Sequence, residues 1–390
     1  MLSWWVDAER DGAVARGDFP AFYAAAKIIH SGRPDMLYDP LLQRRIENES
    51  WPSLEGRYLA FAYPPYVAQL LSPLGALSAS SAKFVFTTIM FGFLVLAWQL
   101  SRSWLSVARP RPWLMLGLLA CFPPLTAGVL GGQNISLSLC IAAAVLALLW
   151  EESGQGAQRR FAVGVLIGCW LFKPHFACLA AMPLLVVLGV PFLFGFLSVA
   201  LTLYSWSASQ FGLGWPLAWL EQAAQFSLAD GVANQHQMVS LAPVLRSLLY
   251  LGVAHEEGWT GPVLEGAVVV FGMMALCGWL IRARTEAGGY DDGTLRKLLL
   301  LLPPAVVLLS PHSMFYESAL CLLTLAQLWR VTNDAGVVAV IGLYLFSFVC
   351  VTFRDLLPFQ PLVVIPFAAL LLVAGQPSTS FGALRSRPKS

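Results

Sequence analysis

The residues of this chain best equipped for chemistry are polar groups stranded in apolar sequence, and Lys173 leads them. It stands in FAVGVLIGCWLFKPHFACLAAMPLLVV, after twelve uncharged residues. An ammonium in hydrocarbon costs about 3 kcal/mol or more unless it reaches the interface or finds an anion. Lys173, followed by Pro174 and His175, therefore marks a functional site, and a lipid bilayer supplies a suitable anion in the phosphate of a lipid carrier. The competing reading is a lysine snorkelling from the end of a span. Asp18, in RGDFPAFY, has two readings as well. Asp before a helix with Pro in its first turn is a good N-cap, whereas a carboxylate at a membrane face also suits removal of a proton from an alcohol.

Three further stretches carry polar chemistry. Gly131-Gly132-Gln133-Asn134 reads as a tight turn, since Gly and Asn tolerate positive φ. That leaves Gln133 unaccounted for, and amides suit sugar hydroxyls because they donate and accept. His312 in LLSPHSMFYESAL, with Glu317 five residues on, interrupts an apolar run. It reads either as a satisfied interfacial histidine or as a phosphate or hydroxyl partner in the cavity of Lys173. Asn234-Gln235-His236 and Arg354-Asp355 complete the set. HExxH and DxD are absent, and convergence of His175, His236 and His312 on zinc is the weaker alternative to no metal and no cofactor. No nucleotide-binding glycine pattern is present.

Composition fixes the environment of these residues. Of 390 residues, 57% are hydrophobic and only 12% charged, against roughly 25% charged in soluble domains. The chain is thus expected to be an all-α integral membrane protein of many spans. Net charge is +2, and no basic stripe interleaved with aromatics points to nucleic acid. The seven cysteines lie inside apolar stretches without a CxxC, which argues against disulfides and structural zinc. The start, MLSWWVDAERDG, has neither the basic nor the apolar region of a cleavable signal peptide.

The elements follow from hydrophobic patterning. Residues 1–62 are mixed, with two amphipathic stretches, PAFYAAAKIIHSG and LYDPLLQRRIENE, expected to lie on a membrane surface. YPPYVAQLLSPLGAL, broken by prolines, reads as re-entrant or interfacial. Eleven candidate spans follow, at 84–101, 113–130, 135–150, 161–172, 176–189, 191–207, 262–281, 298–311, 318–329, 335–353 and 358–375. Gly189 and Pro191 split 176–207 into a hairpin. One kinked span over 161–189 is the rival. The domain reading is an outer loop over 1–62, a membrane domain over 63–380 and a basic cytoplasmic tail over 381–390. Alternate connections carry thirteen Lys and Arg, from Arg102 through Arg296 and Lys297 to Lys389. These mark the cytoplasmic side. On that topology all the polar residues singled out, Asp18 to Arg354, gather at the outer face.

These residues, in this order, resemble glycosyltransferase family 87, polyprenol-phosphate-mannose-dependent mannosyltransferases with the C-type (GT-C) multi-span helical bundle. The likeness rests on GDFPAFYAAAKIIHSGRPDMLYD, FAYPPYVAQLLSPLGALS, GGQNISL, LFKPHF, NQHQMVS and SPHSMFYE, covering most of residues 17–320. It implies inverting transfer of a sugar, mannose, from a polyprenyl-phosphate donor to a lipid or glycan acceptor at the outer face of the cell membrane. The family's first-loop aspartate, the base, maps to Asp18. The lysine before proline, a donor-phosphate contact, maps to Lys173, the polar turn to Gln133 and Asn134, and the late histidine to His312. The resemblance also implies a span before the first outer loop. Here only a short charged segment precedes Asp18, which reads as a truncated span with Trp4-Trp5 its remnant. A transporter or flippase of lipid-linked sugars is the alternative, although no internal repeat is visible.

Overall fold

The computed structural model describes residues 17–54, 59–104, 117, 119–150, 156–249, 260–287, 290–331, 334–352 and 359–382. Arg354 and the basic tail from residue 383 lie outside them. The helices are α1 Phe19–His30, α2 Pro40–Ser50, α3 Pro65–Leu71, α4 Ala79–Trp104, α5 Pro123–Leu130, α6 Ile135–Leu149, α7 Ala157–Cys169, α8 Pro174–Leu188 and α9 Val190–Phe211. They continue with α10 Trp215–Ala233, α11 Leu241–Leu249, α12 Thr260–Ala287, α13 Asp292–Leu309, α14 Cys321–Val331, α15 Asp334–Thr352, α16 Val364–Ala374 and α17 Ser378–Gly382. Among the described residues there is one isolated β-bridge, Met238 to Met314, and no strand. The protein is an all-α membrane protein, and each predicted apolar segment falls wholly or partly on a helix. Three segments, Ala79–Arg102, Val190–Phe211 and Val263–Thr285, are long and apolar enough to cross a membrane. The others are shorter because Gly, Pro or polar turns interrupt them. The predicted break at Gly189 is present: α8 ends there at φ 68°, a conformation open to glycine, and α9 begins at Val190.

The chain divides into two compact units. The first contains Met1–Gly92, Ala127–Ser136 and Ala200–Asp230; the second contains Phe93–Thr126, Leu137–Val199 and Gly231–Ser390.

The first unit is built around α1. The sequence reading gives this helix a wet face, yet Phe19 to Ala26 and Ile28 are all buried. The reason is aromatic packing. Phe19 meets Trp51 at 6.1 Å and Phe86 at 5.4 Å, and Phe22 meets Tyr63 at 4.9 Å between ring centroids. Gly75 has no side chain to hold off the Ala26 carbonyl, so the 72–76 turn lies directly on α1. Tyr23 ties the far end of that turn by donating to the Leu77 carbonyl at 2.9 Å. Helix α2 is capped by Asp39, which accepts from Leu41 and Leu42 N–H at 2.8 Å. Its inward face sets Ile46 and Leu42 on Ala24 and Ile28 and also buries Gln43 and Glu47, while Leu41 is 73% exposed. Gln43 donates to the Leu37 carbonyl and accepts from Phe61 N–H, while Glu47 accepts from Leu59 N–H at 2.9 Å. Two buried polar side chains thus clamp the 59–61 segment to α2.

Glu47 is fully buried, and its second oxygen has no hydrogen-bond partner. Burial pushes its carboxyl from 4.5 up to about 8, opposed by the Leu59 hydrogen bond. Between those values the folded state holds a proton that the unfolded state has lost. The stabilisation is therefore complete below about pH 4.5 and drains away as pH rises to about 8, by at most about 1.4 kcal/mol per pH unit. Amide exchange at Leu59 and Phe61, corrected for its intrinsic pH dependence, should be slower at pH 5 than at pH 8. Glu47→Gln should flatten the difference; an equally steep profile in that variant would remove Glu47 as its source.

In the second unit α7 and α9 approach backbone to backbone. A Cβ on Gly164 would sit 2.0 Å from the Phe192 carbonyl oxygen, and one on Gly195 2.0 Å from that of Phe161. Gly168 sits against Val199, completing a small-residue seam of the kind that packs membrane helices. The seam fixes the end of α7, which tightens into a 3-10 turn over Trp170–Phe172 and delivers Lys173. Trp170 is anchored in turn, its indole N–H donating to the Ser138 hydroxyl at 3.1 Å.

At α13 the structure departs from the sequence reading. Arg296 and Lys297, counted there as loop cations, are buried. Arg296 donates to the carbonyls of Trp150 and Phe381 at 3.0 and 3.1 Å. Lys297 donates to those of Ala374 and Gln376 at 2.9 and 2.6 Å. Helix C-termini leave carbonyls without intrahelical donors, and cations satisfy them favourably. These two side chains therefore finish helices instead of lining a loop.

Candidate active site

Lys173 is the residue before α8, with φ −121° and ψ 82°, and Pro174 opens the helix. An extended residue followed by Pro at the first helical position is how a chain turns sharply into a helix. The side chain is buried and forms an ion pair with the equally buried Glu317, which lies 144 residues away on the 3-10 turn Phe315–Leu320. The rings of Phe176 and Tyr316 flank the ammonium at 5.5 and 5.8 Å. Lys173 thus does not snorkel. Its burial is matched by a carboxylate and two π faces, the condition on which a buried ammonium persists. The other Glu317 oxygen is buried without a hydrogen-bond partner.

His175 stands one residue into α8, edge-on to Phe176 at 4.9 Å, and faces the ring and backbone of His312. The His312 turn is closed by Ser310, whose hydroxyl accepts from His312 N–H and donates to its carbonyl. The NQHQMVS segment joins the same frame. Val239 N–H donates to the Ser313 carbonyl at 2.7 Å, and Ser313 N–H donates to the Ser240 hydroxyl at 3.0 Å. These bonds flank the Met238–Met314 bridge. The structure therefore gathers Lys173, His175, His312 and Glu317 in one unit and ties Asn234-Gln235-His236 to the segment that carries His312.

Gln235 has a specific task within that frame. Its carbonyl oxygen accepts from both Nε and Nη2 of Arg246, at 3.1 and 2.8 Å. Its amide donates to the Ser247 hydroxyl at 2.7 Å and the Pro243 carbonyl at 3.3 Å. An amide has two donors and two lone pairs, so its capacity is used in full. Gln235 thus aims Arg246, a residue that the sequence does not single out.

The first unit holds Asp18, Gln133 and Asn134. Asp18 precedes α1, but its side chain makes no capping hydrogen bond. Gly17, at φ 131°, lies so close to the polar turn that a Cβ would fall 1.8 Å from the Gly131 carbonyl oxygen. Gly132, at φ 72°, meets the Phe19 side chain, with 2.5 Å between an added Cβ and that of Phe19. The two loops pack through glycine, so the backbone on either side of Asp18 lies against Gly131 and Gly132, the residues before Gln133 and Asn134. Those amides are buried at 4% and 6% exposure, and their carbonyl oxygens have no hydrogen-bond partner.

An all-α membrane chain whose buried polar groups collect at helix ends and turns has the organisation of a multi-span membrane enzyme. The sequence profile of glycosyltransferase family 87 matches residues 61–311, more than half of the chain, and the protein belongs to that family. It is a glycosyltransferase, so a sugar donor and an acceptor are its substrates. No curated protein and no solved structure matches it.

Proposed function

We propose that the protein transfers mannose, with inversion, from a polyprenyl-phosphate donor to a lipid or glycan acceptor at the outer, periplasm-facing side of the cell membrane, on a GT-C-type bundle. The observation that carries this reading is the buried Lys173–Glu317 pair between aromatic rings, with His175 and His312 at hand. An ammonium so placed suits a phosphate that arrives through lipid. In the proposed step the acceptor hydroxyl attacks the anomeric carbon and gives its proton to Asp18. The bond from that carbon to the phosphate oxygen breaks, and polyprenyl phosphate leaves with the electron pair. Lys173, aided by His312, stabilises the charge gathering on the phosphate. The leaving group is already a phosphate anion, so the step does not require a metal. Gln133 and Asn134 face sugar hydroxyls. Arg354 and Arg246, the latter aimed by Gln235, are candidates for a supporting cationic role.

Membranes expressing the protein, given polyprenyl-phosphate-[14C]mannose, should form a labelled product that control membranes lack. Absence of label with the protein present in the membrane would refute the donor assignment, and the same assay with other lipid-linked sugars would then identify the sugar.

A further inference from the structure

The polar turn of the first unit contains more unpaired acceptors than a turn needs. Gln133 Oε1, Asn134 Oδ1 and Ser136 Oγ, within four residues, are all buried without a hydrogen-bond partner. Buried polar atoms are rarely left so, and each such case calls for a donor from elsewhere. The glycine contact sets the 17–19 backbone against this turn. Neither adjoining segment, 17–26 or 127–136, contains Lys, Arg or His. A ligand rich in O–H groups would find acceptors here. Asp18 and Gly131 are half-buried and mark the solvent edge, with Gln133, Asn134 and Ser136 more deeply buried.

We propose that this turn is the acceptor subsite, and that Gln133, Asn134 and Ser136 select a neutral, polyhydroxylated headgroup by accepting its hydroxyl hydrogens. This rests on the reading of Asp18 as base. Ser136 is the most informative position. Its hydroxyl is unpaired, so Ser136→Ala removes a buried polar atom at no packing cost and should leave the ligand-free melting temperature unchanged or raised.

The test is thermal stabilisation of the purified protein in nanodiscs by methyl α-D-mannopyranoside as polyol probe and by inorganic phosphate as anion probe. Wild type should be stabilised by both. Ser136→Ala should raise the half-saturating mannoside concentration about fivefold, the loss of one hydrogen bond, and leave the phosphate response unchanged. An unchanged mannoside response in Ser136→Ala would mean that internal water serves these acceptors, and would overturn the proposal. A weakened phosphate response in that variant, or no mannoside response in wild type, would overturn it equally. None of these failures touches the label-transfer assay, so loss of this subsite and loss of the proposed activity are separable.

Discussion

Asp18→Asn should reduce sugar transfer about a thousandfold, in the range of losing a general base, while the protein melts as wild type does. The amide keeps the shape of the carboxylate but cannot take a proton. The capping interpretation gives the opposite pattern. Asn caps a helix as well as Asp does, so Asp18→Asn would be silent in every respect, and Asp18→Ala would cost about 1 kcal/mol of stability. Because the Asp18 side chain makes no capping bond, Asp18→Ala should not show that capping cost and should be equally inactive. Label transfer and melting on the two variants separate the cases. Turnover near wild type in Asp18→Asn would eliminate Asp18 as the base.

Lys173 needs a paired experiment. Lys173→Ala strands Glu317 as a buried charge without its counter-ion, and breaking such a pair costs about 3–5 kcal/mol. Lost activity in that variant would not separate chemistry from folding. Lys173→Met with Glu317→Gln removes both charges at nearly constant volume, and buried ion pairs replaced in this way are often neutral or stabilising. The double variant should fold as wild type does and still lose transfer by about 10²–10³-fold, the usual loss when one donor to a developing anion is removed. A double variant that transfers at the wild-type rate would end the phosphate role of Lys173.

Local signals carried much of this protein. The hairpin at Gly189, the apolar segments and the Lys173-Pro174 turn follow from residues within a few positions of one another. So does the polarity of Gln133 and Asn134. What sequence could not show lies in contacts between distant segments. Glu317 stands out as a charge in an apolar run, but that it neutralises Lys173 depends on how α8 meets the 315–320 turn. Gln235 resembles a sugar ligand until Arg246 is seen in its grip. Helix α1 has the alternation of a surface helix, and its wet face was lost because aromatic residues as far away as Phe86 cover it. Glu47 sits among Gln, Arg, Asn and Glu in α2, where nothing distinguishes a buried carboxyl from a solvated one. Ser136 is one small polar residue at the start of an apolar helix, and its lack of a partner exists only in three dimensions.

Arg296 and Lys297 have a consequence for biosynthesis. The carbonyls they bind at Ala374, Gln376 and Phe381 follow them by 77, 79 and 85 residues. When α13 is synthesised those partners have not yet been translated, so the two side chains cannot yet donate to them. They can withdraw into the protein only after the α16–α17 region leaves the ribosome. The pair can therefore close as a latch only late in synthesis, and a chain arrested before Ala374 would leave Lys297 without its carbonyl acceptors while Arg296 keeps only that of Trp150.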